Sequence, residues 1–164
     1  MTIELRRVTA DEWQTWRPVR LRALADSPHA FGSTLQDWAD APEHRWRTRL
    51  SIPGALDLLA VAAEGDVVGM ASGVPGADAG APAELISMWV DPAARGRGVA
   101  RALIETIAEW AAASGGGALE LSVMPDNTVA RHTYERAGFT ALDEPGAPLP
   151  DGRNEVLMRR TVVA

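Results

Sequence analysis

Residues 83–123 read AELISMWV, DPAARGRG, VARALIETIAEWAAA, SGGG and ALELSV. A short apolar segment, a glycine-punctuated turn, a segment of helical composition, a glycine stop and a second apolar segment leave a chain few folding options. The order strand, helix, strand predicts a parallel crossover unit within one sheet. The helix is expected from Gly98 to Ala113.

The flanking segments extend this sheet. Ile3 to Val8 alternates apolar and polar residues as a strand does, and Thr9 with Glu12 three positions later carries the capping-box pattern of a helix start. That helix is expected from about Asp11 to Ala25, with Trp13, Trp16 and Leu24 on one side and SPHAFGS as its end. PEHRWRTRL reads as a second helix with Pro42 in its first turn and its basic residues on a solvated face. In LDLLAVAAEGDVVGMASGV two apolar runs flank Glu64, Gly65 and Asp66, the pattern of an antiparallel hairpin. Asn127 to Ala137 reads as a helix stopped by Gly138, FTALD as a strand, EPGAPLPDGRN as turns and EVLMRRTVV as the last strand. The expected fold is α/β with a mixed sheet of about seven strands and about four helices, forming one domain over residues 1–164.

Composition narrows the chemistry. Cysteine is absent, which excludes disulfides, thiolate metal sites and a covalent cysteine intermediate. His29, His44 and His132 lie far apart without metal-ligand spacing, so no metal is expected. A net charge of -6 and a pI of about 5.0 argue against binding nucleic acid. No apolar run approaches the about 20 residues that span a bilayer. The opening MTIELRRVTADEW lacks the charged-then-apolar pattern of a secretory signal, so no membrane partner and a cytoplasmic address are expected.

Against this acidic background, VDPAARGRGVARAL gathers Arg95, Arg97 and Arg101 around Gly96 and Gly98 at a helix start. The first amides of a helix lack intrahelical partners and sit at the positive end of its dipole, so an anion is favoured there. Glycines clear side chains from its approach. A P-loop would need Gly, Lys and then Ser or Thr, which the chain does not supply. A dinucleotide fingerprint would need a third glycine where Arg101 stands, and Glu120 falls at the wrong end of the following strand. The pattern RxxGxA, met by Arg95, Gly98 and Ala100, remains.

With that pattern, SMWVDPAARGRGVARAL resembles the acetyl-CoA loop of the GNAT acetyltransferase superfamily. LSVMPDNTVARHTYERAGF resembles the same family's strand, asparagine and aromatic-bearing helix ending in Gly-Phe. The resemblance covers about Ala83 to Thr140 and implies a mostly antiparallel sheet, splayed at its parallel crossover to admit the coenzyme. It implies that acetyl-CoA is the cosubstrate, with Met88 and Val90 holding the pantetheine arm through their backbone. The loop Arg95, Gly96, Arg97, Gly98, Val99, Ala100 and Arg101 would hold the diphosphate. A bulge in the first crossover strand is implied too, and Glu84, Leu85, Met88 and Val90 do break strict alternation.

Tyr134, the single tyrosine, falls where the family carries the acid that protonates departing CoA; a phenol with pKa about 10 can donate at neutral pH. Asn127 is implied as an anchor for the pantetheine arm, a cap for its helix, or both. Glu84 matches a glutamate base of some members, with Glu120 and Ser122 in reserve. Without cysteine, direct attack of an amine on the thioester is the simpler mechanism. A catalytically silent CoA-binding sensor is the alternative.

The acceptor is expected to be a small-molecule or peptide amine, bordered by SPHAFGSTLQDWADAP and DEPGAPLPDGRN. Asp143, Glu144 and Asp151 lean towards a cationic amine. Arg20 and Arg22 would meet an anionic acceptor or simply lie on an exposed helix face. Trp89 and Trp110 are open to a homodimer contact, with core packing the favoured use.

Overall fold

The structure, a computed structural model, describes residues 2–163. One sheet contains β1 (Ile3–Val8), β2 (Leu56–Ala62), β3 (Val67–Val74), β4 (Ala83–Val90), β5 (Ala118–Val123), β6 (Thr140–Pro148) and β7 (Asn154–Thr161). Their order is β1-β2-β3-β4-β5-β7-β6, and every neighbour is antiparallel except the β4/β5 pair. The helices among the described residues are α1 (Trp13–Asp26), α2 (Leu35–Ala39), α3 (Glu43–Arg49), α4 (Val99–Ala113) and α5 (Thr128–Arg136). None is long and apolar enough to cross a membrane.

Two departures from expectation have local causes. The turn-rich segment after FTALD is largely strand: β6 runs on to Pro148, with Pro145 opposite Val156 and Pro148 opposite Asn154. Proline is tolerated there because β6 is an edge strand whose outer side needs no amide donor. The turn shrinks to Leu149–Arg153, closed by Leu149 N donating to Arg153 O at 2.7 Å. Within the long loop after α1, α2 adds a short helix that periodicity is too brief to reveal. Thr34 and Asp37 cap it reciprocally, Asp37 N to Thr34 Oγ1 at 3.2 Å and Thr34 N to Asp37 Oδ2 at 2.9 Å.

Both sheet faces are covered, which explains the apolar run of residues 58–62 in β2. On one face Leu103, Ile104 and Ile107 of α4 pack with Leu58, Ala60, Leu85 and Leu121. On the other, Trp16 and Val19 of α1 and Trp46 of α3 pack with Leu59, Met70 and Trp89. Trp89 is buried and Trp110 packs partly buried against the α4 core, so both tryptophans serve packing.

Two glycines of β3 set how closely α4 approaches. A Cβ on Gly69 would lie 3.1 Å from Val99 Cγ1, and one on Gly73 would lie 2.5 Å from Trp110 Cζ3. The indole therefore lies directly on bare backbone, which fixes the helix against β3 and β4. Gly73→Ala is expected to cost about 1–3 kcal/mol by overpacking. Urea denaturation should show a lower midpoint at unchanged slope; an unchanged midpoint would mean that α4 can shift freely.

Candidate active site

The crossover strands part almost at once. β4 and β5 are paired only at Ala83/Leu119 and Glu84/Glu120, after which they diverge. A bulge widens the gap: Met70 of β3 faces Trp89 and Ser72 faces Ile86, so Ser87 and Met88 together oppose Ala71. Ser87 has φ 55, the single left-handed non-glycine among the described residues. Arg49 holds it. Its Nη2 donates to Ser87 Oγ at 3.1 Å and Ser72 Oγ at 2.9 Å, while Nη1 meets buried Asp57 Oδ1 at 3.1 Å. The solvated face expected for the basic residues of α3 is thus wrong at Arg49, which reaches inward from the helix's last turn.

At one end of the gap lies the loop before α4. Asp91 Oδ1 accepts from Ala93 N at 2.9 Å to start a 3-10 turn over Pro92–Ala94. Gly96 and Gly98 have φ 76 and 84, and Val99 opens the helix. Ala102 N bonds Gly98 O at 3.0 Å, so by helix geometry the amides of Val99, Ala100 and Arg101 have no acceptor one turn back. Arg97 and Arg101 are exposed beside them. Arg95 instead braces the loop, Nε to Val90 O at 3.0 Å and Nη2 to Asp26 Oδ2 at 2.8 Å. Asp26 also accepts from Trp89 Nε1 at 3.0 Å, tying the end of α1 to β4 and this loop.

From there a groove of about 300 Å³ runs along Met88, Val90, Arg95, Asn127, Ala130 and Tyr134. Asn127 caps α5, its Oδ1 accepting from Ala130 N at 3.2 Å. Tyr134 stands edge-on to Phe139, ring centroids 6.0 Å apart, and burial pushes its phenol up to about 12. A crevice of about 90 Å³ follows between the parted strands, lined by Ser87, Met88, Ser122, Val123 and Tyr134 among others.

Beyond it a second cavity of about 300 Å³ is walled by Glu84, Ser87, Ser122 and Glu155 from the sheet, by Arg20, Trp38 and Trp46 from the helices and by Phe31 from the loop after α1. Desolvation, Glu120 and Glu155 all raise the Glu84 carboxyl above its ordinary value. Glu120 is tied to Arg159, which donates through Nε at 3.0 Å and Nη2 at 2.8 Å. Glu155 was not among the expected residues. Alternation along β7 sets it apart from Val156 and Met158, yet only the β5-β7 pairing brings it beside Glu84.

The acceptor loops divide. Ala30 to Ser33 and Trp38 line the second cavity, whereas Asp143, Glu144 and Asp151 are exposed and do not. Asp151 is spent on Arg153 and Glu144 lies 3.8 Å from Arg159. Arg22 donates to Val67 O at 3.2 Å and pairs with Asp91. Arg20 is buried and faces the cavity.

The model of the acetyltransferase (GNAT) family matches residues 10–139. The chain belongs to the GNAT family. Among curated relatives of this GNAT chain, the mycothiol acetyltransferase of Beutenbergia cavernae is 33% identical over 142 residues, 82% of this chain but 43% of that protein. The chain therefore spans less than half the length of the relative it matches. A GCN5-related N-acetyltransferase from Kribbella flavida superposes with TM-score 0.74 at 27% identity over 98% of both chains. The PaiA N-acetyltransferase of Thermoplasma acidophilum, solved with coenzyme A, shares the GNAT fold at TM-score 0.76 and 17% identity, over 98% of this chain and 99% of that one.

Hydrogen bonding from Trp89, with help from Ser27 and Arg95, holds the Asp26 carboxyl below its usual range. Such a group stabilises the fold above its unfolded pKa of about 3.9, and the contribution is lost as pH falls through its lower folded value. Asp26→Ala is expected to cost about 2 kcal/mol at pH 7. The deficit should shrink below about pH 4, where the unfolded carboxyl protonates; a deficit independent of pH in urea unfolding would deny the carboxylate this role.

Proposed function

We propose that this protein transfers the acetyl group of acetyl-CoA directly to a primary amine in a ternary complex. The observation that carries the reading is the parted β4/β5 pair: an anion-receptive helix mouth opens on one side and a carboxylate-lined cavity on the other, with Tyr134 along the passage between. Family membership supports acetyl-CoA as the cosubstrate.

In this reading the free amides of Val99, Ala100 and Arg101 hold the diphosphate, with Arg97 and Arg101 adding formal charge and Gly96 and Gly98 allowing close approach. The backbone of Met88 and Val90 receives the pantetheine arm as an added strand would, and Asn127 borders the same groove. Arg95 acts here mainly by shaping the loop. The acetyl group then lies at the bulge, where irregular pairing frees amides to polarise its carbonyl.

The acceptor, an ammonium in water, loses a proton to Glu84. Its nitrogen attacks the thioester carbon, the C–S bond breaks, and Tyr134 donates its phenolic proton to the sulfur. The second nitrogen proton restores the phenol, so the products are an acetamide, CoA thiol and one released proton. A phenol held near 12 stays protonated until sulfur charge develops. A carboxylate raised above the normal range is a stronger base for an ammonium than an ordinary glutamate.

Thiol release from acetyl-CoA across a panel of primary amines tests the reading, and binding without any release would replace it with a silent CoA-binding module. Tyr134→Phe should keep acetyl-CoA affinity within about twofold while turnover falls about 100-fold. For Glu84, kcat/KM should fall on the acid side as the group protonates, with an apparent pKa above the usual glutamate value of about 4.3. Glu84→Gln should lower the rate and abolish that limb; an intact acid limb would move the role to another group.

A further inference from the structure

Most arginines around the site have a charge partner. Arg49 meets Asp57, Arg22 meets Asp91, Arg95 meets Asp26 and Arg159 meets Glu120. Arg20 differs. Its side chain projects from α1 into the wall of the second cavity and is 9% exposed. Nη1 is buried with no hydrogen-bond partner among the described residues. The other buried orphan, Trp16 Nε1, is neutral.

The contacts that Arg20 does make supply no negative charge. Its guanidinium lies over the Phe31 ring, 4.5 Å from the centroid. Burial and the nearby Arg49 cation pull it down to about 10, so it remains charged at neutral pH. A buried cation beside a second cation is costly unless an anion meets it. Across the same cavity stand Glu84 and Glu155, giving a small chamber with carboxylates on the sheet side and an unmatched guanidinium on the helical side.

We infer that Arg20 binds an anionic group of the acceptor, so that the amine substrate is zwitterionic, of the amino-acid type, with its ammonium at Glu84 and Glu155. This rests on the acetyl-transfer reading and names the substrate class for it. A cavity of about 300 Å³ has room for such a molecule. Polycationic amines are disfavoured, because a second ammonium would meet Arg20 and Arg49. A carboxylate matches the planar fork of a guanidinium, and a phosphonate offers the same oxyanion in tetrahedral form.

Binding is tested apart from turnover by titrating tryptophan fluorescence, which Trp38 and Trp46 in the cavity wall make responsive, in the presence of CoA. The probes are N-acetyl-L-alanine, its carboxamide and the matching phosphonate. One of the two anions is expected to bind at least about tenfold tighter than the amide, the scale of a charge-assisted hydrogen bond. Whichever anion binds tighter identifies the group. The preference should fall below about twofold in Arg20→Gln and survive in part in Arg20→Lys, which keeps charge but not the fork. Equal affinity for anion and amide, or binding of neither, overturns the inference.

Stability supplies a second readout. Arg20→Met removes an uncompensated cation, so its Tm without ligand should equal or exceed that of the wild type. A lower Tm with the anion preference intact would make Arg20 structural and overturn the inference. Failure of the acetyl-transfer reading looks different: anion preference would persist in binding while free L-alanine and other amino acids release no thiol from acetyl-CoA.

Discussion

Everything in this fold that bears on chemistry follows from two strands that start together and do not stay together. Parallel partners normally exchange hydrogen bonds along their length, and each backbone amide left out of a ladder must find another acceptor. Here pairing ends at Glu84 and Glu120. The interior of the sheet thereby opens without exposing an outer edge, and both margins of the opening carry peptide groups ready to bond to whatever enters.

Holding such an opening at constant width requires supports on either side, and these come from charges placed in the helical layer. Arg49 pins the strained Ser87 from α3 through a network that ends on buried Asp57. Asp26 gathers Trp89 and Arg95 at the far end. On the opposite face α4 is seated against the bare backbone of Gly69 and Gly73. The bulge, the glycine loop before α4 and the helix mouth are each fixed by contacts with elements distant in sequence, an arrangement that suits binding by a preformed site.

Legibility in the sequence followed the range of the interaction involved. The crossover unit, its glycines and the cap of α5 depend on neighbours a few residues apart, so their pattern is written locally. Glu155 carries no local mark of function, and for Arg20 the sequence leaves an anionic acceptor and an exposed helix face both open. Glu155 reaches Glu84 only because β7 lies beyond β5, and Arg20 joins them only because α1 packs over that stretch of sheet. Arg49 lies in a basic run that composition alone assigns to solvent; a buried aspartate on β2 turns it inward. Asp143 and Glu144 show the converse, acidic residues whose turn-like context hid an exposed edge strand, while Asp151 stays in the turn that follows it.

The prolines of β6 bear on how molecules of this protein meet at high concentration. β6 forms the outer margin of the sheet, where an unpaired row of peptide groups would otherwise template the addition of a further strand and, by repetition, fibrous aggregates. At Pro145 and Pro148 an incoming strand finds ring carbons in place of amide hydrogens. Asp143 and Glu144 place like charges in its way. The border that composition disguised as a loop thus serves as a built-in guard of solubility.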